Sequence, residues 1–129
     1  MTYRAAVPIG DSGRSLVLAE TSDIDALITL LARDDAGAAT IQDTEDDPVL
    51  DVQVSGGFGY LYYSSDDFAG PCTGDETSPP LLENSEFGFP AGSGVPIPTF
   101  RTVLVEFVQE QGARPTTVNW TAESPTLYQ

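Results

Sequence analysis

Asp43-Thr44-Glu45-Asp46-Asp47 is the densest run of potential metal ligands in the sequence. Four carboxylates in five residues could hold a calcium ion if the chain supplied the rest of an EF-hand loop. That loop needs glycine at its sixth position, for a sharp turn, and a bidentate glutamate at its twelfth. Counted from Asp43, these positions hold Pro48 and Val54, so the run reads as a solvated acidic loop. Ser55-Gly56-Gly57-Phe58-Gly59 has the glycine density of a phosphate-binding loop. It lacks the lysine, however, and leads into a strand-like run instead of a helix, so these are hairpin glycines. The single Cys72, within Gly70-Pro71-Cys72-Thr73-Gly74, would need a neighbouring base to act as a nucleophile, and the chain has no histidine. Cys72 reads as an incidental thiol in a turn-rich loop. One cysteine and no histidine also exclude a tetrahedral zinc site and a Ser-His-Asp arrangement. Twenty acids could supply a carboxylate pair for glycoside hydrolysis, but no spacing singles one out, and a sugar cleft would mix acids with donors. Asn119-Trp120-Thr121 matches a glycosylation sequon, which carries no weight without a secretory signal; Trp120 reads as a core anchor. The sequence therefore reads as non-enzymatic, with no cofactor and no metal.

The carboxylates acquire meaning as a field. From Asp34 to Phe100 there are thirteen acidic residues and no Lys or Arg. Lysine is absent altogether, and five arginines against twenty acids leave a net charge of −15. A one-signed surface steers oppositely charged molecules toward it and repels like-charged ones. Direct binding to DNA, RNA or an anionic membrane is disfavoured, and a basic protein, of the kind that handles nucleic acid, is the natural partner. One cysteine forbids an intrachain disulfide. No N-terminal stretch pairs a basic region with an apolar core, and no run is long enough to cross a bilayer, so a cytoplasmic location is expected.

The elements that position these residues can be read from periodicity. A chain of 129 residues suits a single domain over residues 1–129. Residues 2–9 and 15–20 flank a Gly10-Asp11-Ser12-Gly13 turn and read as a hairpin. Ile24, Leu27, Ile28 and Leu31 recur at helical spacing behind a Thr21-Ser22 cap. Residues 39–42, 49–54 and 58–63 read as strands, the last two joined through Gly56-Gly57. Within 58–63, Tyr60 and Tyr62 share one face while Leu61 and Tyr63 share the other, so one tyrosine face can lie open. The stretch from Ser64 to Asn84 reads as a long polar loop, of a size that is often functional, and residues 85–89 as a further strand. Phe100, Val103, Leu104, Phe107 and Val108 mark a second helix, with Gly112 expected at its C′ position. Residues 117–121 close the pattern as a strand. The order argues an α+β fold, a largely antiparallel sheet with two helices packed on one face.

Several of these segments resemble the immunity protein 1 family, the antitoxins of bacterial polymorphic toxin systems. They are the Thr21-Ser22-Asp23-Ile24-Asp25-Ala26-Leu27 helix start, the Gly59-Tyr60-Leu61-Tyr62-Tyr63 strand, the run from Val95-Pro96-Ile97-Pro98 through Phe107, and Gln111-Gly112-Ala113-Arg114-Pro115-Thr116-Thr117-Val118-Asn119-Trp120. Their shared order and spacing span most of the chain. The resemblance implies a protein that binds and inhibits a cognate toxin, typically a nucleic-acid deaminase, including DNA cytosine deaminases, and does no chemistry itself. It transfers no catalytic motif and no toxin-contact signature. The contact residues are therefore argued from charge. Glu45, Asp46, Asp47, Asp66, Asp67, Asp75 and Glu76 are expected to steer a basic toxin, with Tyr62, Tyr63 or Phe68 as anchors. Two other readings make different demands. An acidic nucleic-acid mimic acting on another basic protein, such as a nuclease, would space its carboxylates like phosphates along a stripe. A small enzyme or sugar-binding module would need a concave pocket of mixed donors and aromatics.

Overall fold

The computed structural model describes residues 3–43, 48–65, 68–80 and 89–121. Its elements run β1 (Tyr3–Ile9), β2 (Ser12–Leu18), α1 (Thr21–Leu31), β3 (Ala39–Gln42), β4 (Val49–Ser55), β5 (Phe58–Ser64), β6 (Ala69–Thr73), β7 (Val95–Pro96), α2 (Ile97–Gln109) and β8 (Asn119–Trp120). The sheet order is β2-β1-β3-β4-β5-β6-β8, with β7 pairing β5 beside β6. Every pairing is antiparallel.

Both helices cover one face of the sheet, as the α+β expectation requires. Along β1, Tyr3, Ala5, Val7 and Ile9 are buried while the alternating residues are exposed, the signature of a strand with one covered face. Ile24, Leu27, Leu30 and Leu31 of α1 and Phe100, Val103, Leu104 and Phe107 of α2 meet this row in one core with Ile41, Leu50, Val52, Leu61 and Tyr63. The hairpin between β4 and β5 turns through Gly56 and Gly57, whose φ values of 61° and 85° are those that glycine adopts without strain.

The helix-free face of β5 is covered too, where the sequence left room for an open tyrosine face. Tyr60 and Tyr62 pack with Phe89, Phe58 and Ala38. Tyr60 donates its hydroxyl hydrogen to the Pro79 carbonyl at 2.7 Å. Farther along this face, Thr40 donates to the half-buried Asp51 carboxylate at 2.9 Å. Burial pushes the Asp51 carboxyl above its usual range and outweighs that bond.

Other sequence expectations also shift. β6 lies within the stretch read as a loop, and Cys72 sits buried in that strand with its thiol donating to the Ser93 carbonyl at 3.2 Å. Burial pushes the thiol up to about 12, so it is inert as well as unpartnered by a base. β2 begins and ends earlier than expected, because full pairing with β1 sets its register from Ile9↔Ser12 to Tyr3↔Leu18. The strand expected over residues 85–89 falls outside the described residues except for Phe89. The closing strand shrinks to two residues. At α1 the cap is Glu20, not Thr21 or Ser22, since the Asp23 carboxylate accepts the backbone N–H groups of Ala19 and Glu20 at 2.9 and 2.8 Å.

At the end of α2 the C′ position is held by Gln111, with Gly112 one residue beyond. The Gly112 N–H donates to the Phe107 carbonyl at 2.8 Å and the Gln111 N–H to the Val108 carbonyl at 3.3 Å, the paired bonds of a Schellman motif. Gln111 bears a φ of 57°, a left-handed conformation that costs a side chain with a Cβ about 1 kcal/mol or more. A Gln111→Gly substitution is therefore expected to stabilise the protein by about 0.5–1 kcal/mol, read as a rise of a few degrees in thermal midpoint.

Candidate functional site

Two acidic segments that lie far apart in sequence open at the same end of the sheet. Val49 pairs with Ser64 and Ser64 with Ala69, so the β3–β4 connection and the β5–β6 connection are neighbours there. The described ends of the first are Asp43 and Pro48; those of the second are Ser65 and Phe68, closed by the Ser65 N–H donating to the Phe68 carbonyl at 2.7 Å. Glu45, Asp46, Asp47, Asp66 and Asp67 belong to these connections and lie outside the described residues.

The scaffold beneath this end is rigid for identifiable reasons. The C-terminal end of α2 reaches it, where the Tyr63 hydroxyl donates to the Gly112 carbonyl at 2.8 Å. Tyr3, Tyr63 and Phe107 form an edge-to-face cluster, with Phe107 5.3 Å from Tyr3 and 6.2 Å from Tyr63. Gly112 lies so close to the Tyr3 hydroxyl and Pro48 that a Cβ there would meet both. Asp43 is buried here. Burial first, then the Asp43 charge and Tyr63, push the Tyr3 phenol above its ordinary range.

Tyr62 and Tyr63 are 9% and 5% exposed, so both rings work inside the sheet. Tyr63 supports Phe68 from behind, at 6.3 Å between ring centroids, and Trp120 at 5.8 Å. Phe68 is half-buried, and the exposed guanidinium of Arg114 lies over its ring, 4.1 Å from the centroid. The sequence reading assigned no role to Arg114. Its signal there was an arginine within the Gln111–Trp120 run, and only the fold sets it against Phe68.

The segment carrying Arg114 is pinned by one side chain. Glu106 accepts the Thr116 N–H and hydroxyl at 2.8 and 2.9 Å and the Thr117 N–H and hydroxyl at 3.1 and 2.6 Å. Trp120 Nε1 donates to the Pro115 carbonyl at 2.7 Å. Burial alone would push the Glu106 carboxyl up, but the four donors outweigh it and hold it below the usual glutamate range. Because the folded pKa is depressed, these bonds stabilise the fold above the ordinary glutamate value. That contribution fades as pH falls from about 4.3 through the depressed value. Glu106→Gln is expected to flatten the acid limb of stability against pH in that window and to cost about 1–3 kcal/mol at neutral pH, measured by denaturant titration across pH.

Asp75 and Glu76 do not share the loop end. β6 runs away from it, and they follow its far end, about 15 Å along at strand rise. Both are exposed. Asp75 accepts the Thr77 N–H at 2.8 Å and the Thr77 hydroxyl at 2.6 Å, and these donors hold its carboxyl below the usual aspartate range. The turn is tied down through Asp75 N–H to the Gly94 carbonyl at 2.7 Å and Gly94 N–H to Ser78 Oγ at 2.9 Å. β8 pairs with β6 between the two acidic regions, through Cys72↔Trp120 and Thr73↔Asn119.

Among the described residues, no group of three or more His, Cys, Asp or Glu is placed to hold a metal ion. A hollow of about 400 Å³ lies beside the β4–β5 hairpin, lined by Arg33, Asp34, Ser55, Gly56 and Ile97 among others. It contains none of the expected contact residues. No described helix is long and apolar enough to cross a membrane.

Fold and site together define an acidic α+β protein that gathers carboxylate-bearing connections at one end of a braced antiparallel sheet. The chain belongs to the Imm1 family of immunity proteins: the model of the family described as Immunity protein Imm1 matches residues 12–122, most of its length. It is an immunity protein, and its partner is a cognate toxin. No curated protein sequence matches it.

Proposed function

We propose that this immunity protein inhibits a nucleic-acid deaminase toxin, and specifically a DNA cytosine deaminase, by covering its basic substrate surface or active site in the cytoplasm. The observation that carries the reading is the meeting of two arginine-free acidic connections, Asp43–Pro48 and Ser65–Phe68, at one sheet end. An enzyme that acts on nucleic acid must offer positive potential to phosphates. A negatively charged end on a well-packed scaffold competes for that surface without any chemistry of its own. In this proposal Glu45, Asp46, Asp47, Asp66 and Asp67 steer from the loop end and Asp75 and Glu76 from the second turn. Phe68 is the apolar contact, and Tyr62 and Tyr63 act from beneath by holding the sheet and Phe68 in place. The deaminase assignment rests on the family resemblance of the sequence segments together with this charge argument.

The test is a deamination assay on single-stranded DNA with the toxin domain encoded beside this chain. Added protein is expected to stop cytosine deamination at a one-to-one ratio. A toxin that cleaves nucleic acid instead, and is inhibited equally well, would move the reading to a mimic acting on a nuclease. A complex in which deamination continues would refute occlusion.

A further inference from the structure

Arg114 is one of five cations in a protein of net charge −15. Arg33 and Arg101 form ion pairs with Asp35 and Asp25; Arg4, Arg14 and Arg114 form none among the described residues, and of these three Arg114 is the one set over an aromatic ring. Its guanidinium lies over Phe68, and it edges a hollow of about 380 Å³ that Phe68, Thr116, Val118, Asn119 and Trp120 also line. The walls are fixed in advance: Glu106 holds Thr116 and Thr117, Trp120 is bonded to the Pro115 carbonyl, and Tyr63 backs both aromatic rings. A stacked guanidinium keeps its planar N–H edge free, and that edge matches a carboxylate in bidentate fashion. Arginine and tryptophan beside a fixed hollow are also the residue types that carry most of the energy at protein interfaces.

We propose that this hollow is a second contact point for the toxin and takes an acidic side chain of it, whose carboxylate is gripped by Arg114. The inference rests on the toxin-binding reading above and deepens it. A cation at this hollow, within an acidic molecule, gives the complex a register. A generic basic protein meets Arg114 with a like charge, while the cognate toxin meets it with a carboxylate. The occupant is an acidic side chain because Arg114 is the one charged residue among those that line the hollow, and it forms no ion pair among the described residues.

The test measures affinity and dissociation rate for the toxin domain encoded beside this chain, using the wild-type protein, Arg114→Gln, Arg114→Lys and the double variant Asp75→Asn/Glu76→Gln. Thermal midpoints check that each variant is folded. Arg114→Gln is expected to raise Kd by about 30-fold or more, mainly through faster dissociation. Arg114→Lys keeps the charge but loses the fork and the stack, and is expected to fall between. If Arg114→Gln binds unchanged, or more tightly as removal of a cation from a basic interface would give, the inference is overturned. Weakened binding in the acid variant alone leaves the toxin-binding reading standing and rejects this contact. If the wild-type protein does not bind the toxin, both fall together.

Discussion

Replacing the four connection aspartates (Asp46→Lys, Asp47→Lys, Asp66→Lys and Asp67→Lys together) is expected to slow association with the toxin roughly 10- to 100-fold at low salt. These residues belong to the two connections whose described ends meet at one end of the sheet, and the proposal has their charges act there together. Lysines there turn attraction into repulsion during encounter. Dissociation should change less, because steering charges act mainly before contact. At high salt the difference between variant and wild type should shrink, since exposed charges are screened beyond about 10 Å at 0.1 M. Stopped-flow association rates at two salt concentrations measure this directly. A variant that associates as fast as wild type would mean that the toxin approaches elsewhere.

The second large effect is on stability. Phe107 is fully buried and packs edge-to-face on Tyr3 and Tyr63. Phe107→Ala removes the ring and leaves a cavity that α2 cannot collapse into, because Gly112, Tyr3 and Pro48 are already in close contact beside it. The expected cost is about 3–5 kcal/mol, a large fraction of the roughly 5–15 kcal/mol that holds a protein of this size folded. The thermal midpoint should drop by roughly 10–20 °C. Because Tyr63 links this core to Phe68 and Trp120, the Phe68 end of the sheet should loosen as well, seen as faster amide exchange around Phe68. A Phe107→Ala protein with an unchanged midpoint would contradict the described packing.

The helices were legible in the sequence because their signals are local. Ile24, Leu27 and Leu31 repeat at the spacing of one helical face, and all three are buried. The Phe100–Phe107 set behaves alike. The central strands were legible for the same reason: the run from Val49 to Val54 begins with two apolar residues and then alternates, and Gly56-Gly57 is the residue pair a tight hairpin demands. β6 was not, since Ala69-Gly70-Pro71-Cys72-Thr73 carries no alternating β-branched pattern. It is a strand because β5 offers it an edge through Tyr62↔Pro71 and Tyr63↔Gly70 and because its centre becomes buried. The α1 cap was misplaced because side-chain reach decides it, Asp23 reaching back to Glu20, and the α2 C′ position was misplaced by one residue because Gln111 takes the left-handed conformation expected of glycine.

The candidate site divides along the same line. That residues 34–100 form an anionic block is a property of composition, visible without a fold. That Asp43–Pro48 and Ser65–Phe68 meet at one end is a property of strand register, and sequence spacing does not encode it. Exposure is likewise a tertiary outcome: Tyr62 and Tyr63 sit on a strand whose two faces are both covered, so they brace the surface from below. Arg114 became visible only when the fold set it over Phe68, with no ion pair among the described residues.

Charge-driven association with the toxin is the core of the proposed mechanism. Its most direct measurement is the association rate of the wild-type protein with the toxin domain encoded beside it, taken from about 20 mM to about 500 mM salt. A fall of about tenfold or more is expected across that range, with the dissociation rate nearly constant. An association rate that stays flat as salt rises would contradict it.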